Sequence, residues 1–153
     1  MNEHKEFQFG WIIFWSMISI QIVCTYLYVN GVGNRPLDAD SFVIVSLLNL
    51  VVLLLFYGLT TRVANKAVTV SFGIGIIRKH IRLDRIKSVE AVTTPWYYGW
   101  GIRIIPKGIL YNVSGVHGVE IKFNDTSSVI RIGSTDSENL KQEIEKRLSR
   151  TAS

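Results

Sequence analysis

Two uncharged stretches decide the fold: residues 9–29, FGWIIFWSMISIQIVCTYLYV, and residues 41–59, SFVIVSLLNLVVLLLFYGL. They are 21 and 19 residues long and hold no Asp, Glu, Lys or Arg. At ~1.5 Å per residue each would cover roughly 30 Å as a helix, the thickness of a bilayer's hydrocarbon core. Neither carries the single apolar stripe of a helix packed on a soluble core. The pair predicts a transmembrane hairpin occupying residues 1–61. A cleavable signal peptide fits poorly. Its apolar core is ~7–15 residues behind a positive leader, whereas the leader here, MNEHKE, balances acid against base.

Composition agrees with the hairpin. Of the 153 residues, 48% are hydrophobic and only 19% charged, and the mean hydropathy is +0.25, more apolar than a soluble domain of this size. The net charge of +5 is unevenly spread. Residues 1–60 hold two cations against four anions, and residues 61–153 carry a net +7. One cysteine, Cys24, closes no internal disulfide and builds no structural metal site.

Lys5, Arg62 and Lys66 flank the outer ends of the hairpin, and the connecting loop of residues 30–40 holds only Arg35. The positive-inside rule then puts both termini in the cytoplasm. Trp11, Trp15, Tyr26, Tyr28 and Tyr57 sit near span ends, where amphipathic rings favour the interface. Gln21 and Asn49 fall at matching depths, eight residues from the inner end of each span. A hydrogen bond between them would add ~0.6–2 kcal/mol to the hairpin.

Beyond Arg62 the pattern changes to period two. Val68, Val70 and Phe72 alternate with polar residues before Gly73 and Gly75. Val119, Ile121 and Phe123 alternate with Glu120 and Lys122 before an Asn124-Asp125 turn. Ile77, Ile81 and Leu83, then Ile102, Ile104 and Ile105, then Val129, Ile130 and Ile132 mark further strands. Short strands divided by turn residues predict a small antiparallel barrel or sandwich. Thr135-Asp-Ser-Glu138 reads as a capping box, and Leu140, Ile144 and Leu148 share one helical face, which predicts a closing helix over 136–149. The fold class is therefore an α+β membrane protein with a β domain over 62–153.

The stretch VTVSFGIGIIRKHIRLDRIKSVE (residues 68–90) resembles the opening strands of bacterial pleckstrin-homology-like membrane proteins, and TPWYYGWGIRIIPKGILYNVSG (residues 94–115) is similar to one subgroup of short proteins of that type. The resemblance spans about residues 62–148, and the preceding hairpin extends it. It implies a pleckstrin-homology-like barrel or sandwich capped by a C-terminal helix, in the inner membrane of a bacterium. It also implies a binding or assembly role without catalysis. Some relatives of that family are associated with resistance to membrane-active peptides, which makes an immunity or envelope-stress factor the alternative.

Three groups of residues are candidates for function. Trp96, Tyr97, Tyr98 and Trp100, with Arg103, form an aromatic block that suits a recognition surface, a lipid interface or a small core. Tyr111 and Asn112 lie in a turn-rich segment expected opposite it, where Asn112 would bridge backbone groups. Arg62, Lys66, Arg78, Lys79, Arg82, Arg85 and Lys87 form a basic run facing only Asp84 and Glu90. Beside a membrane such a run attracts anionic headgroups at ~1 kcal/mol per cation. No nucleic-acid motif accompanies it, so membrane lipid, a second copy or another membrane protein are the expected partners. No phosphate loop, zinc pair or nucleophile elbow is present, and Ser114 near His117 is ordinary turn chemistry. The sequence predicts no catalytic residue, metal or cofactor.

Overall fold

Trp11–Asn30 (α1) and Ala39–Phe56 (α2) are helical in the computed structural model of the chain, which describes residues 3–151. The outermost residues of the two expected domains (1, 2, 152 and 153) lie outside the described residues. Both helices are long and apolar enough to cross a membrane, and neither buries a single residue against the rest of the chain. They are not core helices of the β domain. The expected amide pair forms: Asn49 Nδ2 donates to Gln21 Oε1 at 3.1 Å and to the Met17 carbonyl at 2.9 Å. Gln21 Nε2 then donates to Ser46 Oγ at 2.9 Å, so each amide is tied to the opposite helix.

The hairpin boundaries differ from the sequence reading. Phe9 and Leu59 belong to strands rather than spans, because His4–Phe9 (β1) and Gly58–Val63 (β2) pair antiparallel from His4↔Val63 to Phe9↔Gly58. His4, Lys5 and Glu6 of the leader thus belong to the first strand of the β domain. The two crossings between sheet and helices are tied together where the Gly10 N–H donates to the Tyr57 carbonyl at 2.8 Å. The fit there is tight: a Cβ on Gly10 would stand 3.0 Å from the Phe56 carbonyl oxygen.

Ala67–Phe72 (β3) and Arg78–Arg82 (β4) complete a four-stranded sheet ordered β1-β2-β3-β4. A short 3-10 turn, Leu83–Arg85, carries the chain to a second sheet. That sheet contains Ile86–Thr93 (β5), Gly101–Ile105 (β6), Gly108–Asn112 (β7), His117–Phe123 (β8) and Val129–Gly133 (β9), in the order β5-β8-β9-β7-β6. Both sheets face one core built on Val68, Val70, Phe72, Ile121, Ile132 and their neighbours. Ser137–Thr151 (α3) closes it with Leu140 and Ile144, both fully buried.

Two expectations about this domain are corrected. It is not a closed barrel, since β4 is an unpaired edge with four of its five side chains exposed and only Ile81 turned inward. Nor is it wholly antiparallel: β7 and β9 pair parallel. The β6–β7 hairpin adds to the sheet beyond β9, and Gly108 permits the approach, because a Cβ there would lie 1.8 Å from the Val129 carbonyl oxygen. The helix cap is also displaced by one residue. Asp136 Oδ1, not Thr135, accepts the Asn139 N–H at 3.1 Å. Thr135 donates instead to Glu6 of β1, through its N–H at 2.6 Å and its hydroxyl at 2.7 Å.

Candidate functional site

Strand register divides the β domain into two ends. The helix-bearing end holds Phe9, Gly10, Tyr57 and Gly58. The β3–β4 loop joins it, because the Ile74 N–H donates to the Leu54 carbonyl of α2 at 3.2 Å and the Gly73 N–H to the Gly58 carbonyl at 2.8 Å. So does the β7–β8 loop, where Gln8 Nε2 donates to the Ser114 carbonyl at 2.7 Å. The aromatic segment follows from these. Thr93 pairs with His117, the Thr94 N–H donates to the Val116 carbonyl at 2.6 Å, and Gly101 pairs with Asn112. Residues 94–101 are therefore anchored at both sides to the loop that touches Gln8 and Gly10.

Along this end the fold leaves apolar side chains uncovered. Trp96 is 73% exposed and Tyr97 67%, while in the β3–β4 loop Ile74 is 52% and Ile76 72% exposed. Trp96 and Tyr97 meet edge to face at 6.2 Å, and Tyr97 meets Tyr98 in the same way at 5.1 Å. Their backbone forms a 3-10 turn over Trp96–Tyr98 that ends at Gly99 with φ of 76°, a conformation that side chains other than glycine's resist. Tyr98 turns inward against Ile105, Leu110 and Val129, and Trp100 is half-buried. Arg103 holds the loop closed by donating from Nε to the Trp100 carbonyl at 3.0 Å.

Tyr111 and Asn112 do not join this surface. Tyr111 is buried in the main core beside the Phe72 ring at 6.1 Å, and burial pushes its hydroxyl above the ordinary value. Asn112 is buried too and bridges the turn as expected, donating to the Gly115 carbonyl at 3.1 Å and accepting from the Ser114 N–H at 3.2 Å.

The basic run also separates. Arg62 and Arg78 project from the outer face of the first sheet, on neighbouring rows with Thr60, Thr69, Ser71 and His80. Lys79 alternates to the other side of β4 and lines a groove between the sheets. Lys66, Arg82, Arg85 and Lys87 lie toward the opposite end, past Val63 and before Val89. Two of these are neutralised within the fold. Arg82 Nε donates to Asp84 Oδ1 at 3.1 Å, and Arg85 Nε to Asp125 Oδ2 at 3.0 Å. The Arg82 hydrogen bond holds the Asp84 carboxyl below its ordinary value and raises Arg82 in turn. The bond to Glu90 likewise raises the Lys122 ammonium.

A feature the sequence reading missed is the carboxylate of Glu6. It accepts from the Ser134 hydroxyl at 2.8 Å as well as from Thr135, stitching β1 to the start of α3. No local pattern betrays it, since its partners are 128 and 129 residues away. No protein family, curated protein or solved structure matches this chain.

Proposed function

We propose that the chain is a non-catalytic module anchored in a membrane by α1 and α2, with its β domain held at the bilayer surface as a binding and assembly platform. The observation that carries the reading is the junction. Two helices with no fully buried residue, touching the core only through Ile13 and Phe56, pass into adjacent paired strands through Gly10 and Tyr57, whose backbones are bonded to each other. A domain joined to its anchor by a flexible linker would turn freely; this one has a fixed face toward the helices. Because β1 and β2 lie in one sheet, both outer ends of the hairpin emerge on the same side. The lysine and arginine excess on that side supports the cytoplasmic face, and the resemblance to bacterial pleckstrin-homology-like proteins supports the bacterial inner membrane.

The partner in this reading is a second copy or another protein of the same membrane. Support comes from β6, the outer edge of the second sheet. Its backbone is paired on one side only, and Ile104 is 92% exposed with Ile102 exposed beside it. An edge strand bearing apolar side chains is a ready template for another strand. The aromatic block at Trp96–Trp100 would flank that contact. The test is the native mass of the full chain purified in mild detergent. A defined oligomer or a stoichiometric second protein that disappears with Ile104→Arg supports the reading. A monomer unchanged by the substitution contradicts it.

A further inference from the structure

The outer face of the first sheet contains a polar cleft of about 180 Å³, lined by Thr60, Arg62, Thr69, Ser71, Arg78 and the Gly73–Gly75 loop. Its chemistry is that of an anion site. Arg62 has no ion pair or side-chain hydrogen bond among the described residues, and neither has the Thr60 hydroxyl. Arg78 is held in place because its Nε donates to the Gly75 carbonyl, and its two terminal nitrogens have no hydrogen-bond acceptor among the described residues. Lys5 stands directly opposite Arg62 on the same face, and no carboxylate lies between them. Of the outward hydroxyls, Thr69 meets His80 Nδ1 at 2.9 Å, and Ser71 reaches the Thr60 carbonyl only at 3.4 Å.

Position identifies the class of anion. Gly73 lies so close to α2 that a Cβ would stand 2.1 Å from the Leu54 carbonyl oxygen, so one wall of the cleft is fixed to the last turn of an apolar helix. At ~3.3 Å per residue, the row of Thr60, Ser71 and Arg78 is about 7 Å past Gly58 along the strand, and the Arg62 row about 13 Å. The headgroup layer of a bilayer occupies roughly the first 5–8 Å beyond the hydrocarbon, and an arginine side chain reaches back across the difference. Ile74 and Ile76 stand beside the cleft, exposed and on the same loop.

We propose that the cleft between Arg62 and Arg78 holds the phosphate of an anionic phospholipid from the leaflet around the helices. The isoleucines of the β3–β4 loop seat the lipid's apolar side, and the two guanidinium groups with Thr60 grip its phosphate. This rests on the reading of α1 and α2 as membrane spans. Guanidinium is suited to the task because it presents paired donors to phosphate oxygens.

The test is titration of the detergent-solubilised full chain with phosphatidylglycerol or phosphatidylcholine, with bound lipid counted by native mass spectrometry. Arg62→Gln with Arg78→Gln is set against Lys66→Gln with Lys87→Gln, which removes the same charge from the other end. At ~1 kcal/mol per cation, the first pair is expected to weaken phosphatidylglycerol binding about thirty-fold. The second pair should leave it within about two-fold, and phosphatidylcholine should bind weakly throughout. Equal losses in both pairs, or none in the first, overturn the site. Displacement of the lipid by millimolar inorganic phosphate would reassign the cleft to a free anion and overturn the lipid assignment. A chain that stays soluble and monomeric without detergent would defeat the membrane reading itself, before any lipid is added. Melting curves of both variants, expected to match the parent, separate a lost site from a lost fold.

Discussion

At the end of the β domain remote from the helices, Arg82 is paired with Asp84, Arg85 with Asp125, and Arg147 donates to Asn65 at 2.6 Å. On the outer face of the first sheet Arg62 has no comparable partner among the described residues, and Arg78, nearer the helices, reaches only a loop carbonyl. The same contrast holds for apolar residues. Ile81, Leu83 and Ile86 near the remote end are buried, whereas Ile74, Ile76, Trp96 and Tyr97 near the helices are exposed. Several cations of the remote end are paired within the chain, though among the described residues Lys66 and Lys87 are not, and the exposed apolar loop residues gather near the helices. Uncovered apolar loops grouped at one end mark a contact surface for a partner or a membrane, and the proposed bilayer contact would use it.

The comparison can be broken most severely at Gly73. Its φ is 47°, and a side chain there would collide with the backbone of α2. Gly73→Val is expected to destabilise the full chain by about 3 kcal/mol or more, read from thermal unfolding in detergent. A melt matching the parent would mean that the β3–β4 loop does not rest on the helix. Next in size is Tyr98→Ala, which strips packing from Ile105, Leu110 and Val129 and is expected to cost about 2 kcal/mol. The double substitution Trp96→Ala and Tyr97→Ala, at the two preceding positions, should change the melt in detergent by less than about 1 kcal/mol. An equal loss in the double variant would show the whole block to be core rather than surface.

Much of the hairpin could be read in the sequence because its interaction is local and symmetric in depth. Gln21 and Asn49 are the two amides in the middle of uncharged, largely apolar helices, and an amide in such surroundings must find a partner. A double-mutant cycle with Gln21→Leu and Asn49→Leu is expected to give a coupling of ~0.6–2 kcal/mol; additive effects would show that the amides act separately. Alternation likewise marked β3 and β8, and the spacing of Leu140, Ile144 and Leu148 marked α3. Strand β1 escaped because its inward residues are His4, Glu6 and Gln8, all polar and facing Val63, Thr61 and Leu59. Their partners lie far along the chain, as with Glu6 and Ser134, so no periodic signal reports them. The parallel pairing of β7 with β9 was hidden for a related reason: hairpin signals specify neighbours in sequence, whereas β9 inserts between two earlier strands.

The candidate site was legible as a composition and not as an arrangement. Seven cations within 26 residues form one run on paper. Folding alternates Arg78 and Lys79 to opposite sides of β4 and sends Arg82 and Arg85 to the far end. Asp125, forty residues from Arg85, then neutralises one of them. The smallest predicted effect tests that end. Asp84 is held below its ordinary value near 3.8 by its hydrogen bond to Arg82. Its contribution to stability is therefore present above that value and fades as pH falls through the lowered one. Both groups are exposed, so the effect is slight. Arg82→Gln should return the Asp84 titration, followed by carboxyl NMR shifts, toward its ordinary value. An unchanged titration would remove the distinction between paired and unpaired ends.

The central claim is that the end bearing the helices is the end that meets the bilayer. It is tested most directly by depth. In a Cys24→Ala background, a fluorophore is placed through Ile76→Cys or through Lys66→Cys, and the full chain is reconstituted with lipids carrying a quencher at the headgroup. The account predicts strong quenching of the label at 76 by the lipid-borne quencher. The label at 66 should respond only to an aqueous quencher such as iodide. Equal lipid quenching at both positions, or stronger quenching at 66, would contradict it.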